Sequence, residues 1–369
     1  MSRTRSFVLV PSAARPKLAV PARPFPAAAA IARSHSAPGS FAAAVRTQLM
    51  SAAFATGLGG LLLRDRINVD SPENAVGIDD FLSDILGEPV VVGLRVGPPR
   101  ANRKPVLPVV TRSGRLIAYA KLGVNELTDR LVSAEGAALA ALGRLDLGEV
   151  VVPAALFSGE WQHHQLLVQS PLPVRRSVGP DLAARTIAAM VAVARADNPR
   201  RVPLAQVPWW ARTRALAAAL PPSQNRGPLQ DIGETLAGQT GRHLLAGGWH
   251  GDWNPGNCAV VPGSVLVWDW ERYETGVPLG FDALHLRLQS AITSGVPLAV
   301  AASALLAEAA VLLSPFGVPR TDAELVARLY LWGLGVRYAT DDQLQAGAAV
   351  GRLGDWLIPV LAQSTMKAS

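Results

Sequence analysis

A short apolar hairpin in the second half of the chain constrains the fold more than any other feature. Residues 258–261 ("CAVV") and 265–268 ("VLVW") have the composition of strands, and the turn residues "PGS" separate them. A chain that runs out along the first strand must return beside its starting point along the second. The polar residues before the hairpin ("HGDWNPGN") and after it ("DWE") are therefore predicted to meet in one place.

The chemistry of these polar residues points to a cation site beside a base. Asp252 and Asn257 lie in a loop rich in Gly and Pro, and Asp269 follows the return strand. A carboxylate can accept a proton from a hydroxyl. An amide oxygen and a second carboxylate are ligands that Mg²⁺ accepts, because this ion prefers a few protein oxygens together with phosphates and waters. Mg²⁺ beside one further aspartate is typical of phosphoryl transfer.

Phosphoryl transfer also needs a cationic side chain for the nucleotide phosphates. Lys121 lies in the strand-like segment "AYAKLG", and Glu135 in the next predicted helix can hold this lysine by an ion pair. Lys121 is also compatible with an exposed strand position, and Glu135 with an exposed helix position, since both residue types are usually solvated.

The order of these features resembles the protein-kinase-like fold. A lysine on a strand, a glutamate on the next helix, H-G-D-x-x-x-x-N, and an aspartate after a hairpin follow one another as in that fold. Within it, the chain is most similar to the aminoglycoside phosphotransferase family of small-molecule kinases. The matching segments are "HGDWNPGN", "VWDWE" and "PLGFD".

The resemblance implies a role for each matched position. Asp252 corresponds to the catalytic base, Asn257 and Asp269 to the Mg²⁺ ligands, and Lys121 to the contact with the α- and β-phosphates of ATP. Glu135 corresponds to the residue that orients Lys121. His250 then organises the loop through backbone hydrogen bonds, and Asp282 is a structural brace.

Three features depart from the family pattern. Asn254, which we also assign to support of the catalytic loop, replaces the second histidine of the family motif. The segment 93–104, where a phosphate-covering loop is expected, is not rich in glycine. The first 66 or so residues match nothing in the family core, and the resemblance spans roughly residues 88–360.

The predicted fold class is α+β, in the bilobal protein-kinase-like arrangement. Residues 1–80 form a basic, Ala- and Pro-rich extension with a short hairpin and helices, in which residues 68–80 are mostly loop. Residues 81–172 form an antiparallel-sheet lobe with one helix, predicted to begin at an N-cap on Thr128. Residues 173–369 form a mostly helical lobe with the catalytic loop and the hairpin.

The function expected from these features is ATP-dependent phosphorylation of a hydroxyl on a small molecule. The resemblance places ATP near the segment that joins the lobes, at Gln169, Ser170 and Leu172. The acceptor is open among sugars, amino sugars and aminoglycosides, and so are the choice between ATP and GTP and the oligomeric state. The alternative is a catalytically silent kinase-like protein that docks through its basic extension.

Composition narrows the partners and the compartment. Residues 1–66 carry nine arginine or lysine side chains against a single acid, Asp65, but no nucleic-acid-binding motif. A solvated basic face and a weak contact with an anionic surface are both compatible with this charge. The single cysteine, Cys258, excludes an internal disulfide and favours a cytoplasmic protein. The most apolar window identified, residues 51–63, is too short to span a membrane.

Overall fold

The computed structural model describes residues 2–34, 41–72, 75–97, 100–174 and 181–366. The chain divides into two compact units. The first comprises Met1–Pro98, Arg103–Ala140 and Pro153–Arg176, and the second comprises Pro99–Asn102, Ala141–Val152 and Ser177–Ser369.

The first half of the chain contains both strands and helices. In chain order they are β1 (Ser2–Val10), β2 (Leu18–Pro21), α1 (Phe25–Ser34), α2 (Phe41–Ala55), α3 (Gly59–Leu62), β3 (Arg66–Pro72), α4 (Ile78–Leu86), β4 (Val90–Val92), β5 (Leu94–Arg95), β6 (Val106–Thr111), β7 (Leu116–Leu122), α5 (Glu126–Leu142), β8 (Val150–Val151), β9 (Ala155–Trp161) and β10 (His164–Gln169). All of these strands except β8 belong to the first unit.

One antiparallel sheet dominates the first unit. Within the described residues it has nine strands in the order β3-β1-β2-β5-β6-β7-β10-β9, and β4 pairs with β6 off this path. The pairing of Leu18 with Arg95 joins β2 to β5. The N-terminal strands therefore continue the sheet that carries Lys121, which pairs with Val106 on β6 and Leu167 on β10.

An alanine-rich helix covers part of this sheet. In α1 all residues of the run 27–32 are buried, and Ile31 packs in a core cluster with Val8, Leu18 and Phe54. Alanine allows this close approach because its side chain is a single methyl group. A Cβ at Gly93, at the turn between β4 and β5, would overlap Ile31, so the helix also requires glycine at that position.

The prediction that residues 68–80 are mostly loop is wrong for the first part of that segment. Arg66–Pro72 is strand β3, which pairs with β1 from Val8 opposite Arg66 to Ser2 opposite Pro72. Nearly all residues of β3 are exposed. Only backbone hydrogen bonds hold an exposed edge strand in its sheet. Because such a strand has no buried face, its sequence shows no alternation of apolar residues from which the strand could be predicted.

Helix α5 begins earlier than the sequence indicated. The side-chain Oδ1 of Asn125 accepts a hydrogen bond of 2.9 Å from the backbone N–H of Thr128, which makes Asn125 the N-cap. The hydroxyl of Thr128 accepts hydrogen bonds from the backbone N–H groups of Val124 and Asn125 instead. The prediction of Thr128 as the N-cap was wrong. Asparagine and threonine both favour the N-cap position, so residue type alone did not distinguish Asn125 from Thr128.

Helices dominate the second unit. Its elements after β8 are α6 (Leu182–Arg195), β11 (Arg200–Pro203), α7 (Pro208–Ala218), α8 (Arg226–Ala237), β12 (His243–Trp249), β13 (Cys258–Val261), β14 (Ser264–Val267), β15 (Glu274–Pro278), α9 (Phe281–Thr293), α10 (Leu298–Leu313), α11 (Arg320–Thr340) and α12 (Leu357–Met366).

Two small sheets lie among these helices. The predicted hairpin is β13–β14, and β8 pairs with β14 in parallel. A second sheet, β11-β12-β15, was not predicted. Strand β12 contains Gly247 and Gly248, which weaken the strand pattern in the sequence. The structure needs glycine there because a Cβ at Gly248 would lie 2.9 Å from the carbonyl oxygen of Val193 on α6.

An aromatic core holds the helices of the second unit in place. Trp209 on α7 contacts Phe281 on α9 and Trp332 on α11, with ring centroids 5.1 and 6.2 Å apart. These rings are almost fully buried. Helices α9 and α11 are therefore mounted rigidly, and both carry residues of the site described below. The predicted α+β class, with a sheet-rich first half and a mostly helical second half, is confirmed.

Within the described ranges, one helical segment, Leu298–Phe316, is long and apolar enough to cross a membrane by length and composition. From the sequence, residues 51–63 were predicted to be the most apolar window, and this longer segment was not predicted. Ala301, Leu305 and Ala309 on this segment are buried in the core cluster of the second unit. A core helix of a globular unit has the same features.

Candidate active site

The loop between β12 and β13 holds the residues that the sequence singled out. It starts at His250, immediately after β12, and ends at Asn257, immediately before the hairpin. Gly251 has φ of +85°, a conformation that favours glycine, and a Cβ there would run into the backbone of Arg272. The loop therefore turns sharply enough to aim Asp252 back toward the helices α9 and α11.

Asp252 is held at both carboxylate oxygens. Asn257 donates its Nδ2 to Oδ2 at 3.1 Å and also to the backbone oxygen of Asp252 at 3.0 Å. His285 on α9 lies 3.0 Å from Oδ1 through its Nε2. Burial acts to raise the pKa of Asp252, but the hydrogen bond from His285 and the charge of Arg337 outweigh this effect, and the pKa is lowered. Asp252 is thus an oriented carboxylate.

His250 organises the loop through backbone contacts. Its Nε2 lies 3.0 Å from the carbonyl oxygen of Trp268, and its Nδ1 accepts the backbone N–H of Asp252 at 3.2 Å. The side chain is fully buried. Burial lowers the pKa of His250 to about 4, so the ring is neutral at pH 7 and donates through Nε2.

Asp282 holds the backbone of the same loop. Its carboxylate accepts the N–H of His250 at 2.7 Å and the N–H of Gly251 at 3.1 Å. Burial raises the pKa of Asp282 to about 7, against the opposing effect of these two hydrogen bonds. The carboxylate of Asp282 thus accepts hydrogen bonds from two buried backbone N–H groups that have no partner within the turn.

Asn254 closes the loop internally. Its Nδ2 donates to the backbone oxygen of Asp252 at 3.0 Å, and its Oδ1 accepts the N–H of Gly256 at 2.8 Å. These bonds use both ends of the side-chain amide. An asparagine at this position therefore stabilises the turn by itself.

Asp269 follows β14 and lies near the loop. Its backbone has φ of +71°, which is uncommon outside glycine and is found at functional positions. The preceding residue, Trp268, donates its N–H to the carbonyl oxygen of Asn257 at 3.0 Å, which brings the two ends of the hairpin together. The negative charge of Asp269 acts to raise the pKa of both His250 and Asp252, although larger effects lower both pKa values overall. Asp252, Asn257 and Asp269 thus converge in the structure.

Glu271 adds a second carboxylate next to Asp269. Carboxylate oxygens of the two residues lie within 4.8 Å of each other. Glu271 is almost fully buried and accepts a hydrogen bond of 3.1 Å from Nδ2 of Asn102. Anionic oxygens this close repel each other in a low-dielectric setting, and a cation relieves the repulsion.

The first unit contains the Lys121–Glu135 pair. Nζ of Lys121 lies 2.6 and 2.7 Å from the two carboxylate oxygens of Glu135. Lys121 is 5% exposed and Glu135 is 0% exposed. The bidentate contact places the ammonium group of β7 against α5, where buried charges of opposite sign stabilise each other.

The predicted nucleotide segment begins at the end of β10. Gln169 is buried, and within the described part of the chain its Oε1 has no hydrogen-bond partner. Ser170 exchanges hydrogen bonds with Ala154, through its N–H and its hydroxyl, both at 2.9 Å. Leu172 accepts the N–H of Val174 at 2.8 Å through its carbonyl oxygen. Pro98 and Pro99 of the expected phosphate-covering loop lie outside the described residues.

Three residues around the loop between β12 and β13 were not predicted from the sequence. These are His285 on α9 and Tyr330 and Arg337 on α11. Tyr330 lies 2.8 Å from Nδ1 of His285 through its hydroxyl, and Arg337 donates to the carbonyl oxygen of Gly251 at 2.6 Å. One signal was available for His285, because it lies one helical turn after Asp282. No local pattern marks the other two.

Solved structures that resemble this chain include small-molecule kinases. One is macrolide 2′-phosphotransferase MphH from Brachybacterium faecium, which is 16% identical, with 76% of this chain and 96% of that chain covered and a TM-score of 0.45. Another is spectinomycin phosphotransferase APH(9)-Ia, solved with ADP and spectinomycin, at 12% identity, 79% and 95% coverage and a TM-score of 0.42.

A protein assigned as a fructosamine-3-kinase from Haemophilus somnus 129PT is 12% identical, with 73% of this chain and 95% of that chain covered and a TM-score of 0.44. No protein-family model and no curated protein matches the sequence. Aminoglycoside phosphotransferases, the family that the sequence motifs resemble, are thus found among the similar structures.

Proposed function

We propose that this chain is a kinase that transfers the γ-phosphoryl group of ATP to a hydroxyl of a small molecule. The observation that carries the proposal is the fixed carboxylate of Asp252, held at one oxygen by Asn257 and at the other by His285. An ionised, oriented carboxylate next to further oxygen ligands is the arrangement that phosphoryl transfer to an alcohol requires.

Asp252 acts on the acceptor in this proposal. The acceptor hydroxyl approaches Asp252 and is aligned by a hydrogen bond to its carboxylate. As the new bond from the acceptor oxygen to the γ-phosphorus forms, the bond from that phosphorus to the leaving oxygen of ADP breaks. The hydroxyl proton passes to Asp252, whose lowered pKa makes it an aligning group and a late proton acceptor rather than a strong base.

Lys121 and Glu135 serve the nucleotide. The ammonium group of Lys121 is assigned to the α- and β-phosphates, and Glu135 keeps it in place through the bidentate contact. Gln169, Ser170 and Leu172 are assigned to the adenine. The unpartnered Oε1 of Gln169 is a buried acceptor that an exocyclic amino group would satisfy.

The oxygen ligands of the second unit fit Mg²⁺. Asn257 uses its Nδ2 as a donor to Asp252, so Oδ1 is the atom that it offers to a cation. Asp269 supplies a carboxylate, and Glu271 lies next to it. When bound, Mg²⁺ neutralises charge on the phosphate oxygens.

The acceptor is proposed only as a class. Sugars, amino sugars and aminoglycosides all carry hydroxyl groups that suit the reaction.

The test combines nucleotide binding with a panel of acceptors. Titration calorimetry measures binding of Mg·ATP to the full chain, and ³¹P NMR detects phosphorylated product from sugars, amino sugars and aminoglycosides. We expect Asp252→Asn to bind Mg·ATP nearly as the parent does and to lose transfer by about 10²–10⁴-fold, the usual contribution of a positioned acid–base group.

Asp231→Asn is the matched control, because Asp231 is an exposed carboxylate on α8 of the same unit. We expect it to leave transfer unchanged. Binding of Mg·ATP without any product across the panel would favour a different acceptor class, whereas no nucleotide binding at all would replace the proposal by the silent binding protein.

A further inference from the structure

We infer that His285 is a positioning residue for Asp252, and that the hydroxyl of Tyr330 stabilises the tautomer of His285 that can do so. The inference rests on the proposed function, in which Asp252 aligns the acceptor hydroxyl. It assigns a role to two residues that belong to no motif found in the sequence.

The three side chains form one buried chain of hydrogen bonds. Nε2 of His285 lies 3.0 Å from Oδ1 of Asp252, and Nδ1 of His285 lies 2.8 Å from the hydroxyl of Tyr330. His285 is 0% exposed and Tyr330 is 1% exposed. Both ring nitrogens therefore have a partner, and water does not compete for either one.

The chemistry of the partners decides which atom carries each proton. An ionised carboxylate only accepts hydrogen bonds, so Nε2 of His285 must donate to Asp252. Burial lowers the pKa of His285, in spite of the nearby carboxylate, and the ring is neutral. Nδ1 is then an acceptor, and the hydroxyl of Tyr330 must donate to it. Without that donor, the buried Nδ1 would lack a partner, and the carboxylate of Asp252 alone would favour the Nε2–H tautomer.

Both partners sit on rigidly packed helices. His285 is on α9, which also carries Asp282, so this one helix holds the catalytic loop by its backbone and by the Asp252 side chain. Tyr330 is on α11, and its ring packs edge-on against Phe281 with centroids 5.6 Å apart. The packed helices α9 and α11 thus fix the position of the Asp252 carboxylate through this chain of hydrogen bonds.

Fixing both oxygens leaves Asp252 a single orientation. His285 engages Oδ1 and Asn257 engages Oδ2, so rotation about the Cβ–Cγ bond would break two hydrogen bonds together. The remaining lone pairs then point in set directions toward an acceptor hydroxyl. Such pre-orientation affects turnover much more than binding of the nucleotide.

The variants separate donation from packing. His285→Leu removes both hydrogen bonds, whereas His285→Gln keeps an N–H donor at the distance of Nε2. Tyr330→Phe keeps the ring and removes only the hydroxyl. His243→Leu is the control, because His243 is an exposed histidine at the start of β12 in the same unit.

Turnover of Mg·ATP with water as acceptor is the kinetic readout, since it needs no knowledge of the natural acceptor. We expect kcat to fall by about 10–100-fold in His285→Leu while KM for Mg·ATP changes less than about twofold, the scale of a misaligned catalytic group. His285→Gln should recover most of kcat, Tyr330→Phe should fall between, and His243→Leu should match the parent. A parent-like kcat in a folded His285→Leu, or no recovery in a folded His285→Gln, would overturn the inference.

Histidine side-chain ¹H–¹⁵N NMR on the same full-length chain judges the geometry without activity. We expect His285, assigned by the loss of its signals in His285→Gln, to be a neutral Nε2–H ring, as His250 also is, and to show a weaker preference for this tautomer in Tyr330→Phe. If His285 were an Nδ1–H tautomer or an imidazolium at neutral pH, this would contradict the inference even if transfer is observed. If the parent showed no turnover of Mg·ATP although His285 had the expected tautomer, this would instead count against the proposed kinase function.

Discussion

His250 and Asp282 are buried next to each other, and burial moves their protonation in opposite directions. The pKa of His250 falls to about 4 and that of Asp282 rises to about 7. Below its unfolded pKa of about 6.5, histidine binds a proton in the unfolded chain but not yet in the fold, so His250 makes the fold less stable as pH falls from about 6.5 to 4. Asp282 holds its proton in the fold from about pH 7 downward and loses it in the unfolded chain above about pH 4, so it makes the fold more stable over nearly the same range.

The pH dependence of single variants separates the two effects. We expect the stability advantage of the parent over His250→Gln to shrink by roughly 3 kcal/mol between pH 6.5 and 4, because one pKa unit corresponds to about 1.4 kcal/mol. The advantage over Asp282→Asn should instead grow as pH falls from 7 to 4. Urea unfolding at a series of pH values measures both, and equal slopes for the two variants would show that the protonation states are assigned wrongly.

At the scale of elements, the buried, hydrogen-bonded ion pair of Lys121 and Glu135 ties strand β7 to helix α5. Removing one partner leaves the other charge buried without compensation, which costs about 3–5 kcal/mol. We therefore expect Glu135→Gln to destabilise the first unit by that amount and to weaken Mg·ATP binding. The double variant Lys121→Met, Glu135→Leu should be clearly more stable than Glu135→Gln, yet bind Mg·ATP no better. Chemical unfolding and calorimetry measure the two properties.

The same helix offers a matched control. Glu126 forms an exposed ion pair of 2.7 Å with Arg130, with side chains 88% and 60% exposed. Exposed pairs of this kind contribute about 1 kcal/mol or less. Glu126→Gln should accordingly change stability little and leave nucleotide binding unaffected. If Glu135→Gln also changed stability and nucleotide binding little, the buried pair would contribute no more to either property than the exposed pair does.

At the scale of the whole molecule, the N-terminal segment belongs to the sheet rather than to a detachable tail. Strand β1 pairs with β2 and β3, and β2 pairs with β5. Deletion of residues 1–74 would uncover the edge of β5 and remove much of a core cluster. We expect the truncated chain to unfold at lower temperature or to aggregate, as measured by calorimetry and light scattering. A chain that kept the parental melting temperature would show that the segment is not needed for the sheet.

Charge can be tested apart from this structural role. Arg15, Lys17 and Arg64 are exposed basic residues of the N-terminal segment. Replacing all three by Gln should leave the melting temperature close to that of the parent, since isolated surface charges contribute little. Sedimentation with anionic vesicles then reports whether the basic charge has a partner of its own.

Sequence and structure account for different parts of this protein. The hairpin and its flanking residues predicted where Asp252, Asn257 and Asp269 converge, because a hairpin is a local device that returns the chain to its starting point. Helices with regular apolar spacing were also predictable, whereas the exposed strand β3 and the glycine-bearing strand β12 were not, since neither shows a strand pattern in its side chains.

What the sequence by itself determined is the set of groups that are near each other along the chain or across one turn. Only the tertiary structure brought His285 and Tyr330 to Asp252, because contacts across 33 and 45 positions arise from the packing of α9 on α11. Burial depends on the same packing. It makes His250 neutral and forces Lys121 to pair with Glu135, and no periodicity in the amino-acid sequence encodes the loss of water that causes both.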